Sequence, residues 1–178
     1  ATPYASWGVV FVADTDGESL ILSGSDDSLH VTATECNGLA SNSKGWLSID
    51  FETYMIVLCN ECTLKNLYLK LSAAPGAGTS YAFTLRQNEG SSTLTCTVAN
   101  ANTTANDLVN TVAISDGDTV DIMVVPSGFP SLADAYWGLV MYIEPAPVGW
   151  TGKISGVTNP AKVMGVAVAN IAKVKGVA

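Results

Sequence analysis

Apolar and polar residues alternate along much of this chain, and the alternation predicts β-strands. In "TLKNLYLKL", Leu67, Leu69 and Leu71 share one face, while Tyr68 and Lys70 lie on the other. Successive side chains of a strand point to opposite faces, so a period of two indicates a strand with one buried face. The same period recurs in "SYAFTLRQ", "STLTCTVA", "TVDIMVV" and "AYWGLVMYIEP".

Turn-forming residues separate these segments at intervals of about ten residues, a spacing typical of a two-sheet antiparallel sandwich. The separators are "PGAG", the turn "NEGS" at residues 88–91, "DGD", and the group Pro126, Gly128 and Pro130. No stretch shows the period of an amphipathic helix. The expected fold class is therefore all-β.

The segments also occur in an order that is found in a known module. The order runs "ECTLKNLYLKLSAAPGAGTSYAFTLRQN", "LTCTVA", "VAISDGDTVDIMVVPSG", "AYWGLVMYIEP". It resembles the jelly-roll module of bacteriophage structural proteins, including decoration and fibre proteins, and of related bacterial surface proteins. These modules share their architecture with tumour-necrosis-factor-like proteins. The resemblance implies an antiparallel jelly-roll sandwich, which we expect over residues 1–144, and assembly as a trimer or polymer.

The first residues repeat a pattern from the end of this module. Ala-x-Trp-Gly-[Val/Leu]-Val stands at residues 5–10 and again at residues 135–140. We expect residues 4–12, with Trp7 and Val9, to form a strand that pairs within the sandwich or with a neighbouring subunit. The alternative is two unrelated aromatic strands.

The last residues, 151–178, contain three copies of K-[IV]-x-G-V, beginning at Lys153, Lys162 and Lys173. One copy is too short to bury its Ile or Val alone, so we predict short β segments that stack on each other or on other chains. Residues 145–150, within "EPAPVGW", are expected to form a stiff linker. The predicted assembly residues are Trp7, Val9, Lys153, Ile154, Val157, Lys162, Val163, Val166, Lys173, Val174 and Val177.

The charged residues also divide the chain into a body and a tail. Residues up to Glu144 carry four basic and sixteen acidic side chains, a formal charge of −12, whereas four lysines give the tail +4. The overall charge of −8 argues against binding of nucleic acid or an anionic membrane. The distribution favours a tail that lies against an acidic surface; a solvated basic tail is the alternative.

The cysteines leave three interpretations open. Cys59 and Cys62 have the C-x-x-C spacing of zinc ligands, but Cys36 and Cys96 do not form a second such pair. Two disulfides among the four are favoured for an extracellular sandwich. Buried free thiols come next, and zinc third.

Residues for catalysis are sparse. His30 is the only histidine; Asp27 and Ser28 stand beside it, but neighbours in sequence do not make a catalytic triad. The acidic segment "DTDGES" lacks the Gly and Glu that complete an EF-hand calcium loop, so an Asx-rich turn is expected. We therefore predict a protein that is not an enzyme and has no cofactor or metal.

The expected function is that of a structural subunit of a virion: a phage capsid-decoration, head-fibre or tail-fibre protein. Its partners would be copies of itself, other virion proteins and a surface glycan, and no run of apolar residues predicts a membrane span. The alternatives are a secreted filament or surface-layer subunit and a carbohydrate-binding module. The tryptophans decide part of this choice, since rings exposed in a groove favour glycan binding and buried rings favour assembly. They are Trp7, Trp46, Trp137 and Trp150.

Overall fold

The computed structural model describes residues 10–40, 45–48, 57–58, 61–145, 153–154, 157–158, 162–163 and 166–167. The chain divides into two compact units between Ile143 and Glu144. All regular elements in the described residues are β-strands, and no helix there is long and apolar enough to cross a membrane.

The described strands of the first unit are numbered in chain order. They are β1 (Glu18–Ser25), β2 (Glu35–Asn37), β3 (Leu47–Ser48), β4 (Val57–Leu58), β5 (Cys62–Leu71), β6 (Gly76–Gln87), β7 (Gly90–Asn100), β8 (Thr104–Ile114), β9 (Thr119–Ser127) and β10 (Ala135–Tyr142). The second unit contains β11 (Lys153–Ile154), β12 (Val157–Thr158), β13 (Lys162–Val163) and β14 (Val166–Ala167).

Two antiparallel sheets make up the first unit. One has the strand order β1-β10-β5-β8, and the other has the order β3-β2-β9-β6-β7, with β4 also pairing with β9. The first unit is thus an antiparallel β-sandwich, and the all-β prediction is confirmed.

The core lies between the inward faces of the two sheets. Leu64, Leu67 and Leu139 come from the four-stranded sheet, and Tyr81 and Phe83 from the larger one; all five are at most 1% exposed. Full burial of one such side chain contributes about 1.5–3 kcal/mol. The alternating residues of each strand therefore hold the two sheets together.

The strands predicted from alternation are present. The inward positions predicted for β5 to β7 and β9 are buried: Leu67, Leu69, Leu71, Tyr81, Phe83, Leu85, Leu94, Cys96, Val98, Val120, Ile122 and Val124. In β10, Trp137 and Leu139 are buried, whereas Ile143 follows the end of the strand and is 46% exposed. The "NEGS" turn is a two-residue hairpin loop at Asn88 and Glu89.

Only residues 10–12 of the strand predicted at residues 4–12 are described, and the pairing of this segment stays a prediction. Residues 10–12 belong to no strand, and Val10 and Val12 are 92% and 83% exposed. An extended segment becomes a strand only by pairing, and these three residues pair with no described neighbour. Residues 4–9, with Trp7 and Val9, lie outside the described residues.

The second unit contains two very short hairpins. Ile154 pairs with Val157, and Val163 pairs with Val166, in each case across two intervening residues. Each hairpin coincides with one copy of the K-[IV]-x-G-V repeat, so the first two copies have the short β segments that were predicted. The third copy, with Lys173, lies outside the described residues.

Candidate functional site

The outer face of the four-stranded sheet exposes a group of large apolar side chains. Leu20 and Leu22 of β1 are 41% and 63% exposed, and Tyr68 of β5 and Tyr136 of β10 are 52% and 44% exposed. The opposite residues of the same strands, including Ile21 and Trp137, face the core. Both faces of this sheet are therefore partly apolar, which is unusual where one face meets solvent.

A groove runs across this face because two glycines interrupt it. Gly138 lies between Leu22 and Tyr68 in the register of the sheet and has no side chain to fill the space. Gly24 lies beside Tyr136, whose Cδ1 is only 2.5 Å from the place that a Cβ on Gly24 would occupy. The Tyr136 ring therefore covers the backbone of β1 and forms one side of the groove.

Polar side chains line the other part of the groove. They are Ser23, Asn66, Lys70, Thr104 and Asn106. Asn66 occupies a bulge in β5, where the pairing with β8 shifts between Lys65 and Leu67, and its φ is 55°. Bulges change the direction of a side chain, and asparagine is one of the few residues besides glycine that adopt a left-handed φ.

The volume and charge of the groove limit what it can bind. It encloses about 630 Å³, which is within the range of small-molecule sites. Among the described residues, its lining contains one cation, Lys70, and no acidic side chain. It can therefore receive a neutral or anionic group more readily than a basic one.

The two described tryptophans belong to the core. Trp46 and Trp137 are 5% and 3% exposed, their ring centroids are 5.5 Å apart, and Trp137 Nε1 donates a hydrogen bond of 2.8 Å to the Leu39 carbonyl. Neither ring can serve as a platform for a ligand. Trp7 and Trp150 lie outside the described residues.

Three of the four cysteines lie in the described part of the chain. Cys36, Cys62 and Cys96 are buried, and no disulfide joins any two of these three described residues. Two bridges among four cysteines would require at least one such bond. The fourth residue, Cys59, lies outside the described residues.

Strand positions keep these three cysteines apart. Cys36 on β2 and Cys96 on β7 are separated by β9 and β6, and adjacent strands are about 4.8 Å apart. Cys62 belongs to the other sheet, about 10 Å away across the core. Disulfides require Cα atoms within about 7 Å. Burial, assisted by the Asp107 carboxylate, raises the pKa of the Cys96 thiol to about 12.

Asp27, Ser28 and His30 do not act as a triad in this structure. Ser28 Oγ donates to Asp134 Oδ1 at 2.8 Å, and Asp27 Oδ2 accepts from the Trp46 backbone N–H at 2.9 Å. His30 Nδ1 accepts the backbone N–H groups of residues 32 and 33. Each side chain therefore holds a different part of the loop between β1 and β2.

The predicted assembly residues of the tail are partly described. Lys153 and Ile154 lie in β11, Val157 in β12, Lys162 and Val163 in β13, and Val166 in β14. Lys173, Val174 and Val177 lie outside the described residues. The register places Ile154 opposite Val157 and Val163 opposite Val166, so each repeat brings its own two apolar positions together.

A scan of the chain against protein-family models gave no match, and neither did a search of curated proteins. The resemblance to phage jelly-roll modules thus stays a prediction.

Sequence reasoning missed the groove, although part of its signal was present. The outward position of Tyr68 was predicted from alternation, and the Gly in "AYWGLV" was visible beside two aromatic residues. What could not be predicted was the pairing of β1 with β10, which brings Leu22 and Gly138 together.

Proposed function

We propose that the protein is a non-enzymatic structural subunit of a virion, of the capsid-decoration, head-fibre or tail-fibre kind. In this proposal copies of the chain associate as a trimer or polymer through the sandwich and the C-terminal repeats. A secreted filament or surface-layer subunit is the alternative, and the same features support it. Either role places the protein on a virion or outside the cell.

The observation that carries the proposal is the pair of tail hairpins. Each has only two residues per strand, and an isolated two-stranded hairpin is marginally stable at best, even when it is longer. Ile154, Val157, Val163 and Val166 would gain stability from a further surface that covers them. A repeated element of this kind suits contacts between chains.

Charge gives the second argument. The acidic side chains all precede residue 145, and copies of a sandwich with a formal charge of −12 repel one another. The tail lysines of one copy would reduce that repulsion where they meet another copy. Association through the tail should therefore weaken as salt screens the charges.

The strand order supports the jelly-roll assignment. Omitting the short β3 and β4, the sheets read β1-β10-β5-β8 and β2-β9-β6-β7, and the chain crosses between them at most steps. This alternation is what two interleaved Greek keys produce. The jelly roll is an architecture of capsid proteins as well as of lectin domains, so by itself it does not select between the candidate functions.

Deletion of residues 151–178 tests the proposal. The truncated chain should keep its sandwich, measured by urea unfolding, but sediment and scatter light as a smaller species than the full chain. Replacement of Lys153, Lys162, Lys173 and Lys175 by Glu should weaken association in the same way, whereas replacement of all four by Arg should preserve it. Equal association of the truncated and full chains would refute the role of the tail.

A further inference from the structure

We infer that the groove on the outer face of the four-stranded sheet is a saccharide-binding site. This inference is independent of the proposed structural role, because it concerns the sandwich alone and has a different readout. It starts from four features of the groove: two exposed aromatic rings, two amides without a described partner, a bulge, and a described lining that has no acidic side chain.

The two tyrosines provide apolar surfaces of the right kind. Tyr136 lies opposite Lys70, and Tyr68 lies opposite Gly138, so the two tyrosines occupy diagonal positions on adjacent strands. Diagonal residues of an antiparallel pair are about 7–8 Å apart. Both rings are about half exposed. Two rings so placed can cover the C–H faces of a ligand while their hydroxyls stay in water.

Hydrogen-bonding groups surround these rings. The side-chain amides of Asn66 and Asn106 make no hydrogen bond to any other described residue, and both line the groove together with Thr104 and Lys70. An amide offers both donors and an acceptor, which matches a ligand that presents many hydroxyl groups. A hydroxylated ring molecule, apolar on its faces and polar at its edge, therefore fits this lining.

The bulge at Asn66 also contributes to the groove. Asparagine is one of the few residues besides glycine that readily adopt a left-handed φ, so Asn66 can occupy this bulge with its φ of 55°. The bulge keeps Leu64 and Leu67 in the core while Asn66 lines the groove. In an uninterrupted ladder Leu64, Tyr68 and Lys70 would share one face, so the bulge is what allows Tyr68 and Lys70 to face outward while Leu64 stays in the core.

Charge favours a saccharide over another candidate occupant of the groove, the basic C-terminal tail. The lysine-bearing repeats of the tail would meet Lys70 and no acidic partner among the residues that line the groove. A neutral sugar meets no such repulsion, and a carboxylated sugar would gain an ion pair with Lys70. The groove therefore fits a saccharide better than it fits the basic tail.

Native affinity electrophoresis of the full chain tests the inference. Gels that contain dextran, galactomannan, xylan or alginate should include at least one that retards the protein, and titration calorimetry with short oligosaccharides of that polymer distinguishes a free sugar from a polymer as the ligand. Tyr68→Ala, Tyr136→Ala and Gly138→Val should each weaken binding by at least about tenfold. Gly138→Val fills the groove and keeps both tyrosines.

Phe129→Ala is the matched control, because Phe129 is 78% exposed and lies outside the groove. It should bind as the unmodified chain does, and all variants should unfold at similar urea concentrations. The inference is overturned if no polysaccharide retards the protein, or if retardation survives Tyr68→Ala and Tyr136→Ala together. It is also overturned if these substitutions change the association of the chains, measured by light scattering, and no sugar binds, since the groove would then be a contact between copies.

Discussion

Arg86 and Asp121 lie directly opposite each other on β6 and β9, and their side chains form a bidentate ion pair inside the protein. Arg86 Nε donates to Asp121 Oδ1 at 2.8 Å, and Nη2 donates to Oδ2. The two side chains are 3% and 1% exposed. Both charges are thus removed from water, and each depends on the other for compensation.

Loss of one partner should be costly. Arg86→Met leaves the Asp121 carboxylate buried without its guanidinium, so we expect the free energy of unfolding to fall by about 3–5 kcal/mol. Urea unfolding measures the change. The double variant Arg86→Met, Asp121→Leu removes both charges and should be clearly more stable than the single one. A single variant within about 1 kcal/mol of the original would contradict this account.

The stability of the protein should decrease in acid because of Asp107. Partial burial acts to raise the pKa of this carboxyl, but hydrogen bonds from Asn110, Val109 and Thr95 outweigh it and lower the pKa to about 2. A pKa lowered on folding stabilises the folded state above the ordinary value of 3.8. That contribution is lost as the pH falls from about 4 to 2.

Asp107→Asn tests this pH dependence. The variant cannot ionise at this position, so its free energy of unfolding should change less between pH 4 and pH 2 than that of the unmodified protein. Asp116→Asn is the control, because Asp116 is exposed and its carboxyl makes no hydrogen bond to a described residue. Equal pH profiles for the two variants would count against a special role of Asp107.

The cysteines should react differently with an alkylating reagent in the folded and in the unfolded protein. Cys96 is 7% exposed and its pKa is about 12, so iodoacetamide at pH 8 should leave it unmodified in the folded protein. In guanidinium without reductant, at least two of the four cysteines should be alkylated, because at most one disulfide, through Cys59, is compatible with the strand positions. An intact mass without any adduct would restore the two-disulfide interpretation.

One substitution should stabilise the protein. Asn88 and Glu89 form a two-residue hairpin loop with φ of 50° and 66°, a conformation for which Asn-Gly is strongly preferred. Glu89→Gly relieves the left-handed strain at the second position, and we expect a gain of about 0.5–1 kcal/mol. Thermal unfolding measures it. Glu89→Ala keeps the strain and should give no gain; a gain of equal size would show that charge, not φ, is responsible.

The sequence predicted the sandwich well because its strands follow local rules. Leu67, Leu69 and Leu71 reveal a buried face without any knowledge of their partners. The bulge at Asn66 is hidden from the same reasoning, because a period of two assumes an uninterrupted ladder. β1 was harder still, since "LIL" is apolar on both faces, and local alternation cannot say whether the two leucines or the isoleucine between them face water.

The groove could not be predicted from the sequence, because it depends on pairing between strands that are far apart along the chain. The groove requires β1, β10 and β5 to be neighbours, although more than sixty residues separate β10 from β5 and more than one hundred separate β10 from β1. The cysteine prediction met the same difficulty, because it counted thiols without knowing that two sheets and several strands separate them. The short β segments of the tail were easier to predict, because each copy of the repeat pairs within itself.

The two tail hairpins begin nine residues apart, and each closes its backbone pairing within one copy of the repeat. Insertion or removal of a whole copy would therefore leave the pairing inside the other copies unchanged. A gene that gains or loses such a copy would alter the length of the tail by one repeat without requiring any change in the sandwich. The length of the tail can thus evolve separately from the fold of the sandwich, through duplication of a short stretch of DNA.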